Sequence, residues 1–342
     1  MRVFVSEFVC GGAWSGPLDS SLASEGRAML LAIADDLARG EDVAPVVTWD
    51  ERLGPFPLPD VDVRTVASPS DEEALFCQLV AQSDAAFVIA PELDAALAER
   101  RRRVAELGGR FLGADLEAIQ LCSDKLATYH WLQQHEFPTV PTHRLSSEDA
   151  PPRTAFPIVL KRRDGAGSCG MRLVTEAVDW ASALPEALKA CPADQLVWQP
   201  LVPGQAVSCL ALVSLDRQRI EVFPPAEQRL SNDGRFCYRG GRVPAELPDA
   251  TREFIGQTVR RVCEDLSGLR GFVGFDWIVP HEAPSQPVIV DVNPRLTTSY
   301  IGYRALAREN LALRLLAAFP HLEPIRWSES TVAFRPDGTV AV

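Results

Sequence analysis

The order of elements predicts an α/β fold: an N-terminal open parallel βαβ domain followed by two regions of mixed α+β character. Three observations carry this. Short apolar, β-branched runs alternate with amphipathic helical stretches through residues 1–110. A proline-rich break at 151–157 separates that part from the rest of the chain. Beyond the break, strand patterns come in pairs, 205–215 with 219–223 and 271–279 with 287–292. At 342 residues the chain exceeds one ordinary core. The expected division is an α/β domain at 1–110, a helical part at 111–150, a small α+β subdomain with a glycine-rich loop at 151–203, and a C-terminal α+β subdomain at 204–342.

Residues 1–5 read as the opening strand, and Cys10-Gly11-Gly12 as a flexible turn. No G-x-G-x-x-G comes after it, so a dinucleotide fingerprint is missing. Ala28, Leu31, Ala34 and Leu37 repeat at helical spacing over 24–38, with Ser24 placed to cap. A strand at 43–48, a helix at 71–82, a strand at 85–90 and a helix at 92–107 complete the alternation. The arginine run 100–103 reads as a solvated helix face. Residues 115–135 look helical, with Ser123-Asp124 opening a helix at Lys125. Then come strands at 157–161 and 171–174, a helix at 176–190, and a strand at 195–199 that enters a Pro-Gly linker. A helix at 251–267 turns Phe254, Val259, Val262 and Leu266 to one side. A helix at 304–318 and a strand at 330–335 close the chain.

Net charge is −12, a poor match for nucleic acid or an anionic membrane unless cations are concentrated locally. No apolar run is long enough to span a bilayer, and the N-terminus lacks a signal-peptide pattern. The eight cysteines form no C-x-x-C, which fits reduced thiols and a cytoplasmic protein. A homodimer is the base expectation for assembly.

Chemistry gathers in five places. In V-I-V-D-V-N-P-R (288–295), Asp291 and Asn293 lie two residues apart on a strand and so share a face. A carboxylate and an amide oxygen are hard ligands of the kind Mg²⁺ takes, and Arg295 adds a cation. An Asx turn at a strand end reads the same letters more plainly. Asp276, inside the apolar strand G-F-V-G-F-D-W-I-V, needs a partner, and the neighbouring strand carries Asp291. Lys161 ends an apolar strand and precedes Gly165, Gly167 and Gly170, whose backbone freedom suits an anion nest. A hairpin turn with a snorkelling lysine is the alternative. Lys125 opposes the dipole of its own helix, a placement that an anion between them would justify; an exposed helix lysine is the plainer reading. The extended segment Gln199-Pro200-Leu201-Val202, flanked by Trp198, offers free backbone groups and apolar walls to a purine ring.

In this order the motifs resemble the ATP-grasp superfamily over roughly 110–320: lysine after S-D, lysine before a glycine loop, linker, acid in F-D, then D-V-N-P-R. The resemblance implies an ATP-grasp architecture, two α+β subdomains clasping ATP, and a cofactor set of ATP with Mg²⁺ or Mn²⁺. It implies that Lys125 and Lys161 bind phosphates beneath a loop containing Gly165, Gly167, Ser168 and Gly170. Gln199 and Leu201 would take adenine, Gln205 ribose, and Asp276, Asp291 and Asn293 the metal. Arg295 would steady the transferred phosphoryl group, with Lys161 also catalytic. Two departures stand out: Asp291 where the family commonly has Glu, and Gln205 where it commonly has Glu. The stretches V-S-E-F-V-C-G-G, S-L-A-S-E-G-R-A-M-L and Y-R-G-G-R-V-P look like the tyramine–L-glutamate ligase branch, which serves methanofuran biosynthesis. By that resemblance Ser6, Glu7, Glu25 and Tyr238 are substrate-side candidates, and Trp14, Tyr300 or Tyr303 would stack on a phenol ring. The implied partners are a small carboxylic acid and an amine, with no nucleic acid and no membrane. Two other readings are a peptide or amino-acid ligase with different substrates and a non-catalytic ATP sensor on the same fold.

Overall fold

The computed structural model describes residues 1–18, 21–145, 156–168, 170–317 and 323–341. Strand β1 (Arg2–Glu7) is buried from Val3 onward, as a parallel strand covered on both faces should be. It pairs in parallel with β2 (Ala44–Asp50) and β4 (Ala85–Ile89), and β3 (Asp62–Val66) adds an edge, giving the order β3-β2-β1-β4. The edge strand D-V-R-T-V is mostly exposed and charged, so the apolar pattern did not announce it. Helices α1 (Ser21–Ala38), α2 (Pro69–Gln82) and α3 (Ala96–Glu106) cover this sheet. Helix α2 starts as its sequence dictates: the Ser68 hydroxyl accepts the Asp71 N–H and Pro69 takes the first turn.

Two local expectations need correction. Ser24 does not cap α1, which already runs from Ser21. The expected flexible turn at 10–12 is a buried π-helical turn (Val9–Ala13). It is wound around the Glu7 carboxylate, which accepts the Cys10 N–H, and Gly12 (φ 100°) lies where an added Cβ would meet Val66 at 2.8 Å.

Residues 115–135 form two helices, α4 (Leu116–Cys122) and α5 (Lys125–Gln134). The Asp124 side chain accepts the N–H groups of Leu126 and Ala127, which breaks the run and makes Lys125 the first residue of α5.

A small antiparallel sheet comes next, made of β5 (His143–Arg144), β6 (Ile158–Arg162), β7 (Arg172–Val174) and β8 (Leu196–Pro200) in the order β5-β8-β6-β7. Helix α6 (Trp180–Leu188) packs on it over a core of its own that includes Ile158, Leu160, Val174 and Leu196. The expected boundary at 150–151 lies outside the described residues.

The third sheet holds β9 (Gly204–Val213), β10 (Ile220–Val222), β11 (Ala226–Leu230), β12 (Tyr238–Val243), β13 (Gly271–Pro280), β14 (Val288–Asn293), β15 (Val332–Phe334) and β16 (Val340–Ala341). Its path is β14-β13-β9-β11-β12-β15-β16, with β10 on β9. Helix α7 (Asp249–Asp265) buries Ile255, Val259 and Val262, while Phe254 faces outward, 37% exposed, against expectation. One residue is 100° of helix, and Ile255 takes the inward place. The expected 304–318 helix is split into α8 (Tyr300–Leu306) and α9 (Leu311–Leu316), because the Asn310 side chain accepts the Leu313 N–H and starts a new cap; residue 318 lies outside the described residues. Among the described residues no disulfide joins the cysteines and no helix is long and apolar enough to cross a membrane.

Candidate functional site

A cavity of about 240 Å³ opens between the small sheet and the large one. Its floor is the β13–β14 pair. Antiparallel register sets Asp276 opposite Asp291 and Gly274 opposite Asn293, so the alternation of each strand brings all three polar side chains to the cavity. The Asn293 amide donates to Asp276 Oδ2 at 3.0 Å, and Gln228 Nε2, from β11, donates to Asp276 Oδ1 at 2.8 Å. Burial, and then the charge of Asp291, push the Asp276 carboxyl up to about 6. Lys125 Nζ donates to Asp291 and to the Gly165 carbonyl, the latter at 2.9 Å. Burial works against its charge, yet Asp291 beside it holds the ammonium above its ordinary value.

This donor set fits a divalent cation. Among the described residues no three His, Cys, Asp or Glu side chains gather as a cage. Two acids and one amide oxygen are instead the partial set that Mg²⁺ takes when phosphates and water complete its shell. Burial first, and then the neighbouring Asp291, raise the Asp276 carboxyl, and a bound cation would favour its charged form against both.

Lys161, next to last in β6, is only 3% exposed and lines the cavity opposite that floor. Burial, then the nearby Lys125, lower its ammonium to about 8. Gly165, Gly167 and Ser168 line the same wall, Gly167 at φ 58°. The Ser168 hydroxyl donates to the Phe236 carbonyl, which ties the loop to the large sheet's side of the cleft. Gly170 (φ 71°) does not line the cavity: a Cβ there would meet Ala190 at 2.8 Å.

At one end the walls are apolar, with Val140, Val159, Leu201, Val202 and Ile278. Gln199 lines this end while its amide donates to the Thr142 hydroxyl at 2.7 Å. Three expectations change here. The Leu201 N–H is not free; it donates to the Pro157 carbonyl at 3.0 Å. Trp198 stacks on His143, ring centroids 4.2 Å apart, and is absent from the cavity wall. Gln205 is absent as well, because β9 turns Ala206 and Ser208 to the cavity and their alternate neighbours away.

The other end holds Arg295, Glu25, Tyr238 and Thr298. Glu25 accepts hydrogen bonds from Thr298 Oγ1 at 2.8 Å and Ser21 Oγ at 2.9 Å, and burial raises its carboxyl. Burial also raises the Tyr238 phenol well above its ordinary value. Arg295 is held by Glu92: Nε to Oε1 and Nη2 to Oε2, both at 2.9 Å. Glu7 lies behind this end, fully buried, its carboxyl pushed up to about 7 by burial; neither it nor the buried Ser6 lines the cavity. Tyr300 and Tyr303 are core residues, each 0% exposed, with hydroxyls donated to Asp36 and the Pro224 carbonyl. Trp14 lines a different cleft, beside Phe8 and Leu93. None of these three rings faces the cavity, so the expected stacking on a phenol is not available to them.

Sequence reasoning missed Gln228 and Glu92. Gln228 gave no signal, lying in a short half-exposed strand. Glu92 comes soon after the buried strand β4, at the carboxyl end of a parallel sheet where ligands of such sheets gather, and that position was a usable signal.

A family model for the ATP-grasp domain matches residues 122–299, and one for the pre-ATP-grasp 3 domain matches 43–119. The chain is 24% identical over 213 residues to a D-alanine–D-alanine ligase of Gloeobacter violaceus, covering 58% of this chain and 68% of that one. It is 22% identical over 294 residues to a tyramine–L-glutamate ligase of Methanocaldococcus fervens, covering 85% and 86%. The crystal structure of an ATP-grasp superfamily protein from Archaeoglobus fulgidus superposes with a TM-score of 0.71 at 22% identity, over 98% of this chain and 92% of that one.

Proposed function

We propose, from the premise that this chain belongs to the ATP-grasp family, that it joins a small carboxylic acid to an amine with ATP, by way of an acyl phosphate. As an enzyme it is an ATP-dependent C–N ligase, the class to which its ligase relatives point. The observation that carries the reading is the line of charge along the cavity: Lys161 and Lys125, then Asp276, Asp291 and Asn293, then Arg295.

In this reading the purine enters the apolar end beside Leu201 and Val202, and the triphosphate runs under the glycine loop between Lys125 and Lys161. Asp276, Asp291 and Asn293 would hold Mg²⁺ or Mn²⁺, which would supply neutralisation of phosphate charge. One oxygen of the substrate carboxylate attacks the γ-phosphorus, ADP leaves, and an acyl phosphate remains. The amine nitrogen attacks the acyl carbon, phosphate departs with that carboxylate oxygen, and the amide forms after loss of a proton. Phosphoryl transfer needs positioning and charge neutralisation more than covalent help, which the lysines and Arg295 supply. The loop carrying Ser168, tied across to Phe236, keeps water from the acyl phosphate. Glu25, beside Arg295 and Tyr238, is placed to receive the amine as a cation, which gives up one proton before its nitrogen attacks and a second as the amide forms.

For the substrates we take tyramine and the side-chain carboxylate of L-glutamate, as in methanofuran biosynthesis. The relative matched over 85% of this chain supports that choice, as do the aromatic walls offered by Phe236 and Tyr238. The likeness to a D-alanine–D-alanine ligase favours a second reading, with an amino acid as the amine. ADP release measured with glutamate and a panel of amines separates them. Release that needs both glutamate and tyramine supports the first, and release with amino acids alone supports the second. No release with any pair refutes the ligase reading.

A further inference from the structure

The loop at residues 91–95 touches two parts of the cleft at once. Glu92, buried, grips the guanidinium of Arg295 across 203 positions of sequence with two bonds of 2.9 Å. Of the five N–H groups of Arg295, these two and the one donated by Nη1 to the Leu296 carbonyl are engaged, leaving one on each terminal nitrogen. Two residues on, Asp94 meets the end of β6. Its N–H donates to Asp164 Oδ2 at 2.9 Å, and its Oδ1 accepts from Arg162 Nη2 at 2.9 Å. Those partners flank Arg163 and lead directly into the glycine loop.

At the second tie and just beyond it the backbone is strained. Asp94 (φ 51°) and Ala95 (φ 60°) are consecutive left-handed residues, neither of them glycine. Such conformations persist only where the surroundings over-determine them. Here the surroundings are, on one side, the Glu92–Arg295 contact and the Asp94 contact with the small sheet that carries the glycine loop, which is the nucleotide lid of the proposed reading. On the other side is the start of α3 at Ala96, so losing either tie releases the loop toward a relaxed backbone.

We infer that residues 91–95 form a latch relaying the position of the nucleotide lid to Arg295, with Glu92 as the positioning residue for the guanidinium and Asp94 as the lid's catch. The role of Arg295 itself rests on the ligase reading above; the coupling does not. Glu92 does not line the cavity, so any effect it has on nucleotide affinity is transmitted. A through-space effect has the opposite sign. The Glu92 charge reaches Lys125, and removing it would favour an anion beside that lysine. The latch instead predicts that Glu92→Gln loosens the lid and weakens ATP binding.

The test is calorimetric titration of the full chain with ATP and Mg²⁺ for the wild type, Glu92→Gln, Asp94→Ala and the double variant. Each single change weakens binding by about threefold to tenfold, and the double variant binds no worse than the weaker single. Unchanged or tighter binding by Glu92→Gln overturns the latch. So does a double loss equal to the product of the two single losses. If melting shows that Glu92→Gln does not fold, Glu92→Asp replaces it, since it keeps the charge and shortens the reach, with the same expected direction. Affinity is read without turnover, so a chain that binds ATP but forms no amide sinks the ligase reading and leaves the latch standing. A chain that binds no ATP sinks both.

Discussion

Asp276→Asn should make the metal-free protein more stable while removing the proposed ligase activity. The Asp276 carboxyl stands at about 6 in the fold against 3.8 ordinarily, chiefly through burial and then through the charge of Asp291. A carboxyl raised in the folded state gives stability that is complete below the ordinary value and lost as pH rises through the folded one. The penalty is therefore nearly absent at about pH 4, grows through the window between 3.8 and about 6, and is full at about pH 7.5. Two units or so correspond to about 3 kcal/mol at most. The carboxylate faces the open cavity, so solvent screening reduces this. An asparagine also turns an NH₂ toward either Gln228 or Asn293, both of which donate to Asp276 now, at a cost of about 1 kcal/mol. A net gain of about 1–2 kcal/mol at about pH 7.5 remains, shrinking toward zero or below at about pH 4. Urea denaturation in the presence of EDTA at the two pH values measures it. A variant less stable than wild type at the higher pH, or a difference that does not change with pH, refutes the reasoning. Amide formation by the same variant should fall by at least about a hundredfold.

Lys161, lowered to about 8 by burial, loses its charge as pH rises past that value. ATP affinity should therefore fall by about tenfold between about pH 7 and about pH 9, and Lys161→Met should bind more weakly at about pH 7 with a flat profile; calorimetry decides. Tyr300→Phe deletes the 2.6 Å bond from a fully buried hydroxyl to Asp36, costing about 1–2 kcal/mol of stability with kcat changed by less than about twofold. A large loss of activity at unchanged stability would return Tyr300 to the site. Gly26→Ala sets a Cβ 2.5 Å from Glu7 Oε1 inside the packed N-terminal domain. Overpacking of that kind costs about 1–3 kcal/mol, which a lowered melting temperature reports, and an unchanged one contradicts the packing described.

Much of the acid corner around Asp276 and Asp291 was legible because it obeys a local rule. Asp291 and Asn293 share a face by strand alternation, and the hairpin that brings Asp276 opposite Asp291 joins segments adjacent in sequence. Parallel alternation in the first domain was likewise readable, since buried runs such as those of β1 and β4 are continuous. The failures depended on phase or on distance. A one-residue shift in where β9 turns toward the cavity exchanges Gln205 for Ala206 and Ser208. Gln228 reaches Asp276 from a strand placed by non-sequential order, and Glu92 reaches Arg295 from another domain. Trp198 and Tyr300 looked like ring-binding residues because nothing in a sequence says that His143 or Asp36 already satisfies them.

In the ligase proposed, the carboxylate is activated by taking the terminal phosphoryl group of ATP. The most direct test of that activation is a turnover with the carboxylic acid labelled with oxygen-18 in both carboxylate oxygens. Mass spectrometry of the products should find one labelled oxygen in the released phosphate and the other in the amide. Amide formed with unlabelled phosphate would contradict the account.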